Sequence, residues 1–367
     1  MAASRHPSPF SVEITPDCEG FLKCLRREGT PDRVFFGELL VDEEVKAAVA
    51  ERFGLVDDLD PGEPFYAQKR EIRVKRFLGY DSVRCGLDEI GFSLQWTATA
   101  DTAGLSREGG REYLDEHRGP ITSFDQFEAY PWPDPEKIPD RKLHWYQENL
   151  PDDMCIAAQS GFAHFAEFLS GLMGYETLCY ALFDQRELVG AISRRLMETY
   201  QAILRRILQF DRVRVVWGSD DMGFRSGTLI SPDDLREFVL PGHKLMAELS
   251  HAAGRPYLLH CCGNVEAVMD DLVDDVGIDA FHSFEDTIRT VEETKRRYGH
   301  RIALLGGVDV DFLCRSDEEE IRRRVRRTLE ACHPGGGYCL GTGNSVANYI
   351  PLDNYLAMLD EGRRFGA

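Results

Sequence analysis

The segment His260-Cys261-Cys262-Gly263-Asn264 carries the residue types and spacing best suited to chemistry. It follows the apolar run Pro256 to Leu259, which reads as a strand. In an extended strand end, residues two apart point the same way, so His260 and Cys262 can converge on one ion while Cys261 points elsewhere. An imidazole with a thiolate suits Zn²⁺, and a catalytic zinc takes three protein ligands and keeps one position open. The same pair can equally be a buried thiol beside a hydrogen-bonded histidine. Candidates for a further ligand lie on neighbouring strand ends: His282 and Glu285 after the next strand, and Cys339 on the last one. Glu285 is preferred because it follows its strand, whereas Cys339 lies inside one and reads as core.

Asp220 and Asp221 end the run VRVVWGSDD. Neighbouring residues of a strand diverge, so one of the two faces a site and the other bonds the loop backbone. Asp221 is the expected acid or base, and Asp220 is kept as a substrate-binding candidate. Thr342 and Asn344, in Gly-Thr-Gly-Asn-Ser after the last strand, are further substrate-binding candidates, together with Arg225 in GFRSG. An arginine fork binds carboxylate or phosphate bidentately, so Arg225, and Arg118 in DEHRGP, are expected to anchor an anionic group. The basic run Lys69 to Arg76 reads either as a solvated face or as an anion clamp.

The elements that position these residues alternate. Beyond a proline-rich connector, PWPDPEKIPD, strands are expected at Met154–Ala158, Val213–Trp217, Pro256–His260, Asp279–His282, Ile302–Leu305 and Gly337–Leu340, each followed by helical patterns. Six of these strand ends lead into polar or glycine clusters, from Gln159-Ser160-Gly161 to Gly341-Thr342-Gly343-Asn344-Ser345. An open doubly wound sheet concentrates its site at one switch point, whereas a (β/α)8 barrel gathers every strand end around one mouth. The expected fold is therefore an α/β TIM barrel spanning 1–367 as a single domain. Residues 1–150 supply an N-terminal extension and the first strands, and 151–367 the regular part. Neither GxGxxG nor GxxxxGK[ST] is present.

With 43 basic and 63 acidic residues the formal charge is −20, which repels a phosphate backbone and argues against nucleic acid as a partner. The start MAASRHPSPF lacks the apolar region of a secretory signal, and the most apolar long window, Met154 to Gly174, is broken by Gln159, His164 and Glu167. A cytoplasmic protein without membrane contact is expected. Its ten scattered cysteines read as reduced, mostly buried small hydrophobes.

At LLHCCGN, GSDDMGFRSGTLISPDDLREFVLPGHKLM, IDAFHSFED, LLGGVDVDFL and YCLGTGNSVANYIPLDNYLAML the chain resembles the uroporphyrinogen decarboxylase superfamily. The resemblance extends over nearly the whole chain and implies a TIM barrel. The true decarboxylases carry an arginine-rich MRQAGR-type segment and a Gly-His-Gly after the last strand. Here the corresponding stretches read DRVFFGELL and Gly341-Thr342-Gly343. The branch of corrinoid-dependent methyltransferases uses a His-x-Cys, matched by His260 and Cys262, and a distal Cys where this chain has Thr342. That resemblance implies a zinc site, which here is either completed by another residue such as Glu285 or holds no tight zinc, and a corrinoid carried on a partner protein. The expected function is methyl transfer between a corrinoid and a thiol or small methylated substrate. The alternatives are a carboxy-lyase using Asp221 with the basic residues near Arg70 to Arg76, and a non-catalytic ligand-binding barrel.

Overall fold

The computed structural model describes residues 7–107, 110–115, 117–159 and 162–365, so Ser160 and Gly161 of the first strand-end cluster lie outside the described residues. Eight parallel strands form one sheet: β1 (Phe35–Phe36), β2 (Ser82–Cys85), β3 (Cys155–Ala158), β4 (Val213–Asp221), β5 (Tyr257–Cys262), β6 (Ala280–His282), β7 (Ala303–Leu305) and β8 (Tyr338–Leu340). Their order, β1-β8-β7-β6-β5-β4-β3-β2, is the chain order taken once around a ring, as in a TIM barrel. β1 and β2 end this order, and residues of both line one cavity.

Seven of the eight strands are those read from the sequence, the six above and β1, which falls within the strand-like run Arg33–Leu39. The missed one is β2, whose four residues, Ser-Val-Arg-Cys, are too short and too polar to register as a strand pattern. The run Gly91–Ala100, which also reads as a strand in the sequence, contains the strand Trp96–Thr99, but it pairs with Arg111–Leu114 in an antiparallel hairpin apart from the barrel sheet. The helical pattern that follows the strand at Pro256–His260, over Val265–Val276, is a succession of short 3-10, α and π turns.

Alternation along the strands separates two cores. Outward residues such as Val83, Ile156, Val216, Leu259, Phe281 and Leu340 pack under the surrounding helices. Inward residues are Phe35, Cys155, Ala157, Val215, Trp217, Leu258, Ala280, Ala303, Leu305 and Cys339. Several of these are small, as the interior of an eight-stranded ring requires. Helix α1 (Cys18–Leu25) adds Phe21, Leu22 and Leu25 to the inner cluster. Asp17 caps this helix by accepting from Gly20 N. Cys339 is fully buried in this inner cluster, the core position expected of it.

Candidate active site at the strand ends

The two long strands deliver the key residues. In the parallel ladder Ser219 is level with His260 and Asp221 with Cys262. His282 is level with His260 on the other side. Because every second residue faces inward, Asp221, His260 and Cys262 share one end of the barrel. Gly263 has φ 80°, and a Cβ there would stand 2.2 Å from the Gly223 carbonyl, so only glycine lets the chain leave β5 this close to the next loop.

Asp220 points outward, contrary to the substrate-binding role expected of it. Fully buried, it accepts hydrogen bonds from Phe165 N, Ala166 N and Glu167 N at 2.9–3.0 Å, the first turn of helix α2 (Ala166–Met173). It also bonds His243 Nε2 at 2.9 Å, and His243 Nδ1 reaches Tyr257 OH at 2.9 Å. Burial opposes its charge, but the His243 bond and the backbone donors hold its carboxyl below the usual range. Asp220 therefore fixes the start of α2, and α2 brings Glu167 and His164 close enough to act on Asp221. Those two bond each other at 2.6 Å. Burial works against a charged His164, yet the Glu167 bond and charge raise its pKa.

His260 Nε2 stands 3.2 Å from Cys262 Sγ, and Asn344 Nδ2 lies 3.5 Å from the same sulfur. His260 Nδ1 meets His282 Nδ1 at 2.7 Å. A proton on His260 Nδ1, donated to His282, leaves the Nε2 lone pair free to bind a cation. Ligand atoms of Asp221, His260 and Cys262 all lie within 4.8 Å of one another. Zinc at 2.0 Å from nitrogen and 2.3 Å from sulfur in tetrahedral geometry separates them by about 3.5 Å, so the group fits that ion with three protein ligands.

Electrostatics match this arrangement. Burial, reinforced by the negative charge of Glu167, pushes the Asp221 carboxyl up to about 6. Burial and the neighbouring Asp221 push the Cys262 thiol well up. Burial first, and then the neighbouring His282, His164 and Arg84, disfavour a positive charge on His260. A positive ion among the three would reverse the first two effects by stabilising both anions.

The other expected residues fall differently. Glu285 is exposed and stands outside the three-residue group, where Asp221 takes the place expected of it. Glu285 lies three residues beyond the end of the three-residue strand β6, whereas Asp221 ends a nine-residue strand. Thr342 is buried, but its N–H and hydroxyl both bond Glu38, at 2.7 and 2.6 Å, and not the Cys262 pocket. Arg225 is exposed in the Gly223–Thr228 hairpin, and Arg118 is also exposed. Most of the basic run is paired with acids: Lys69 with Glu63, Arg70 with Glu43, Arg73 with Asp58 and Arg76 with Asp153. The buried Glu71 and Lys75 of this run line a cavity.

The uroporphyrinogen decarboxylase (URO-D) family profile matches residues 157–365, more than half of the chain. The protein belongs to the uroporphyrinogen decarboxylase family. A methylated-thiol–coenzyme M methyltransferase of Methanosarcina mazei is 33% identical over 133 residues, which cover 36% of this chain and 33% of the relative. A methylcobamide:CoM methyltransferase of Methanosarcina barkeri is 30% identical, covering 36% and 37%. A uroporphyrinogen decarboxylase of Thioalkalivibrio sulfidiphilus is 29% identical, covering 38% and 40%. The matched stretch thus spans about a third of the curated relatives. A solved methyltransferase from Methanosarcina mazei superimposes with TM-score 0.67 and 18% identity, covering 96% of this chain and 100% of the other, which establishes the shared fold. Relatives on the methyltransferase side of the family agree with the branch read from His260 and Cys262. No helix among the described residues is long and apolar enough to cross a membrane.

Proposed function

We propose that this protein transfers a methyl group between a corrinoid held by a partner protein and a small thiol bound at the strand ends. The observation that carries this reading is the convergence of Asp221, His260 and Cys262, whose oxygen, nitrogen and sulfur atoms lie within 4.8 Å. Zinc bound there would supply the positive charge that displaces a thiol proton and favours the thiolate at neutral pH. His282 orients His260 by its 2.7 Å bond, and Asn344 holds the Cys262 sulfur. Asp220 keeps α2 in place, and the Glu167–His164 pair beside Asp221 is the nearest acid-base couple for the released proton. A thiolate held there would take the methyl group from the corrinoid, which would keep the electron pair of its carbon–cobalt bond.

A second reading, a carboxy-lyase, is supported by the raised Asp221 carboxyl, a proton donor near neutral pH, and by the decarboxylase relative. Two measurements separate these readings: metal content of protein purified without added zinc, and thiol-dependent demethylation of methylcobalamin followed by its visible spectrum. The methyltransferase reading expects about one zinc per chain, lost in His260→Ala and Cys262→Ser, and spectral change only when a thiol is present. Metal-free protein with no thiol-dependent change would refute it and leave the lyase or a ligand-binding barrel.

A further inference from the structure

The strand ring has one seam: β1 and β2 end the strand order, and no ladder joins them among the described residues. Helix α1 lies at that seam, by the N-terminal ends of the strands. Cys18 N–H, in its first residue, donates to the Asp153 carbonyl at 3.0 Å, just before β3. Cys24 Sγ, near its other end, donates to the carbonyl of Tyr338 at 3.3 Å, the first residue of β8. Because β3 and β8 are the neighbours of β2 and β1, the helix runs from one side of the seam to the other. Asp81, just before β2, receives the Asp17 N–H at 2.7 Å and pairs with Arg33, shortly before β1. All of these links across the floor of the seam are non-covalent.

Two thiol pairs sit at the ends of this strap. Cys18 is hydrogen-bonded to Cys155, the first residue of β3, and Cys24 to Cys339 of β8. All four belong to the inner cluster. A small core filler needs only its volume, whereas here each helix thiol meets a strand thiol. Both pairs are polarised in the same sense. The bond from the strand thiol, working against burial, lowers the pKa of the helix thiol, while that of the strand thiol is raised well above its ordinary value. Cys18 has two further aids, the N-terminus of α1 and the positive charge of Arg214, which pairs with Glu19 at 2.9 Å. At 5% exposure it is also the most accessible of the four. The helix thiol is therefore the nucleophile of each pair and the strand thiol its resolving partner.

We propose that Cys18 with Cys155 and Cys24 with Cys339 are two disulfide sites, which a peroxide oxidises so that α1 is fastened covalently across the barrel seam. In each pair the helix thiolate sulfur attacks one peroxide oxygen and the O–O bond breaks. The hydroxide released takes up the proton that the thiol gave, leaving a sulfenic acid and one water. The strand sulfur then bonds the sulfenic sulfur, and the departing hydroxyl leaves with the strand thiol's proton as a second water. Each pair of thiols thus loses two electrons and two protons, and one peroxide becomes two waters. The oxidised ring gains a covalent path from β3 through α1 to β8 where the β1–β2 ladder is missing. Both links close long loops, 18–155 and 24–339, the case in which a cross-link removes most freedom from the unfolded chain. Cys262 and the strand-end site take no part.

The test treats the reduced full-length protein with excess hydrogen peroxide under native conditions, alkylates the remaining thiols and maps disulfide-linked tryptic peptides by mass spectrometry. Cleavage after Lys23 separates Cys18 from Cys24, so the two links are read independently. Wild type is expected to show Cys18 linked to Cys155 and Cys24 linked to Cys339. Its melting temperature should rise by roughly 5 °C and return to the starting value with dithiothreitol. Cys18→Ala should lose the first link and keep the second, Cys24→Ala should do the reverse, and each should keep part of the rise. Melting of the reduced variants shows whether they fold, and the wild-type map decides the pairing without them. Wild type lacking either link, these cysteines joined to other partners, or both links formed with an unchanged melting temperature would each overturn the inference.

Discussion

Replacing Glu38 by Gln tests whether a neutral acid is built into the barrel seam. Glu38 is buried, and both its oxygens are occupied, Oε1 by Thr342 N–H and Oε2 by the Thr342 hydroxyl. Burial raises its pKa from an ordinary 4.5 to about 8, against the bonds from Thr342 and the charge of Lys75. Lys75, Tyr80 and Tyr355 are the titratable groups that sense it. Between those two values the folded chain keeps a proton that the unfolded chain releases, so stability falls as pH rises. The slope is about 1.4 kcal/mol per pH unit, and from 4.5 to about 8 it accumulates to about 5 kcal/mol. Glutamine copies the protonated form, accepting from Thr342 N–H and donating to its hydroxyl, but does not titrate. Urea unfolding of both proteins from pH 5 to 9 is the assay. The stability advantage of Glu38→Gln over wild type should grow with pH up to about 8 and then level off. A difference that stays flat across pH 5 to 8 would refute the account, and one that shrinks would reverse its sign.

Asp220→Ala should destabilise the fold by about 3–5 kcal/mol, since it leaves three α2 N–H groups and His243 without their acceptor; chemical denaturation measures this. Asp221→Asn, one residue away, should change stability far less but lower metal retention in elemental analysis; loss of stability without loss of metal would contradict the inward assignment. Cys262→Ser should abolish metal retention whereas Cys339→Ser leaves it intact, because the second thiol lies in the inner apolar cluster. Arg70→Ala should shift stability by about 0–1 kcal/mol, as expected for a surface pair with Glu43, and leave anion titrations unchanged.

Strand periodicity and the clusters after each strand were enough to imply a barrel, because a parallel ring is the arrangement that turns six such ends toward one mouth. The His-x-Cys pair was legible for the same reason, since a two-residue period in a strand fixes which side chains converge. The adjacent carboxylates were only half legible. Divergence of Asp220 and Asp221 follows from the strand, but the α2 N-terminus that claims Asp220 is 53 to 55 residues away in sequence. Glu285 was preferred as a further ligand because it follows its strand, but order along the chain does not reveal strand length, and β4 runs nine residues where β6 runs three. Arg84 carried one faint signal, a cation flanked by Val83 and Cys85 at an alternating position, in a segment too short to read as a strand. Its place is tertiary: β1 and β2 stand at opposite ends of the strand order, yet Glu38, Arg84 and Trp217 line one cavity. Local sequence fixes the direction of side chains within an element, while the partners each one meets are set by contacts hundreds of residues apart, as the Thr342–Glu38 bond across 304 positions illustrates.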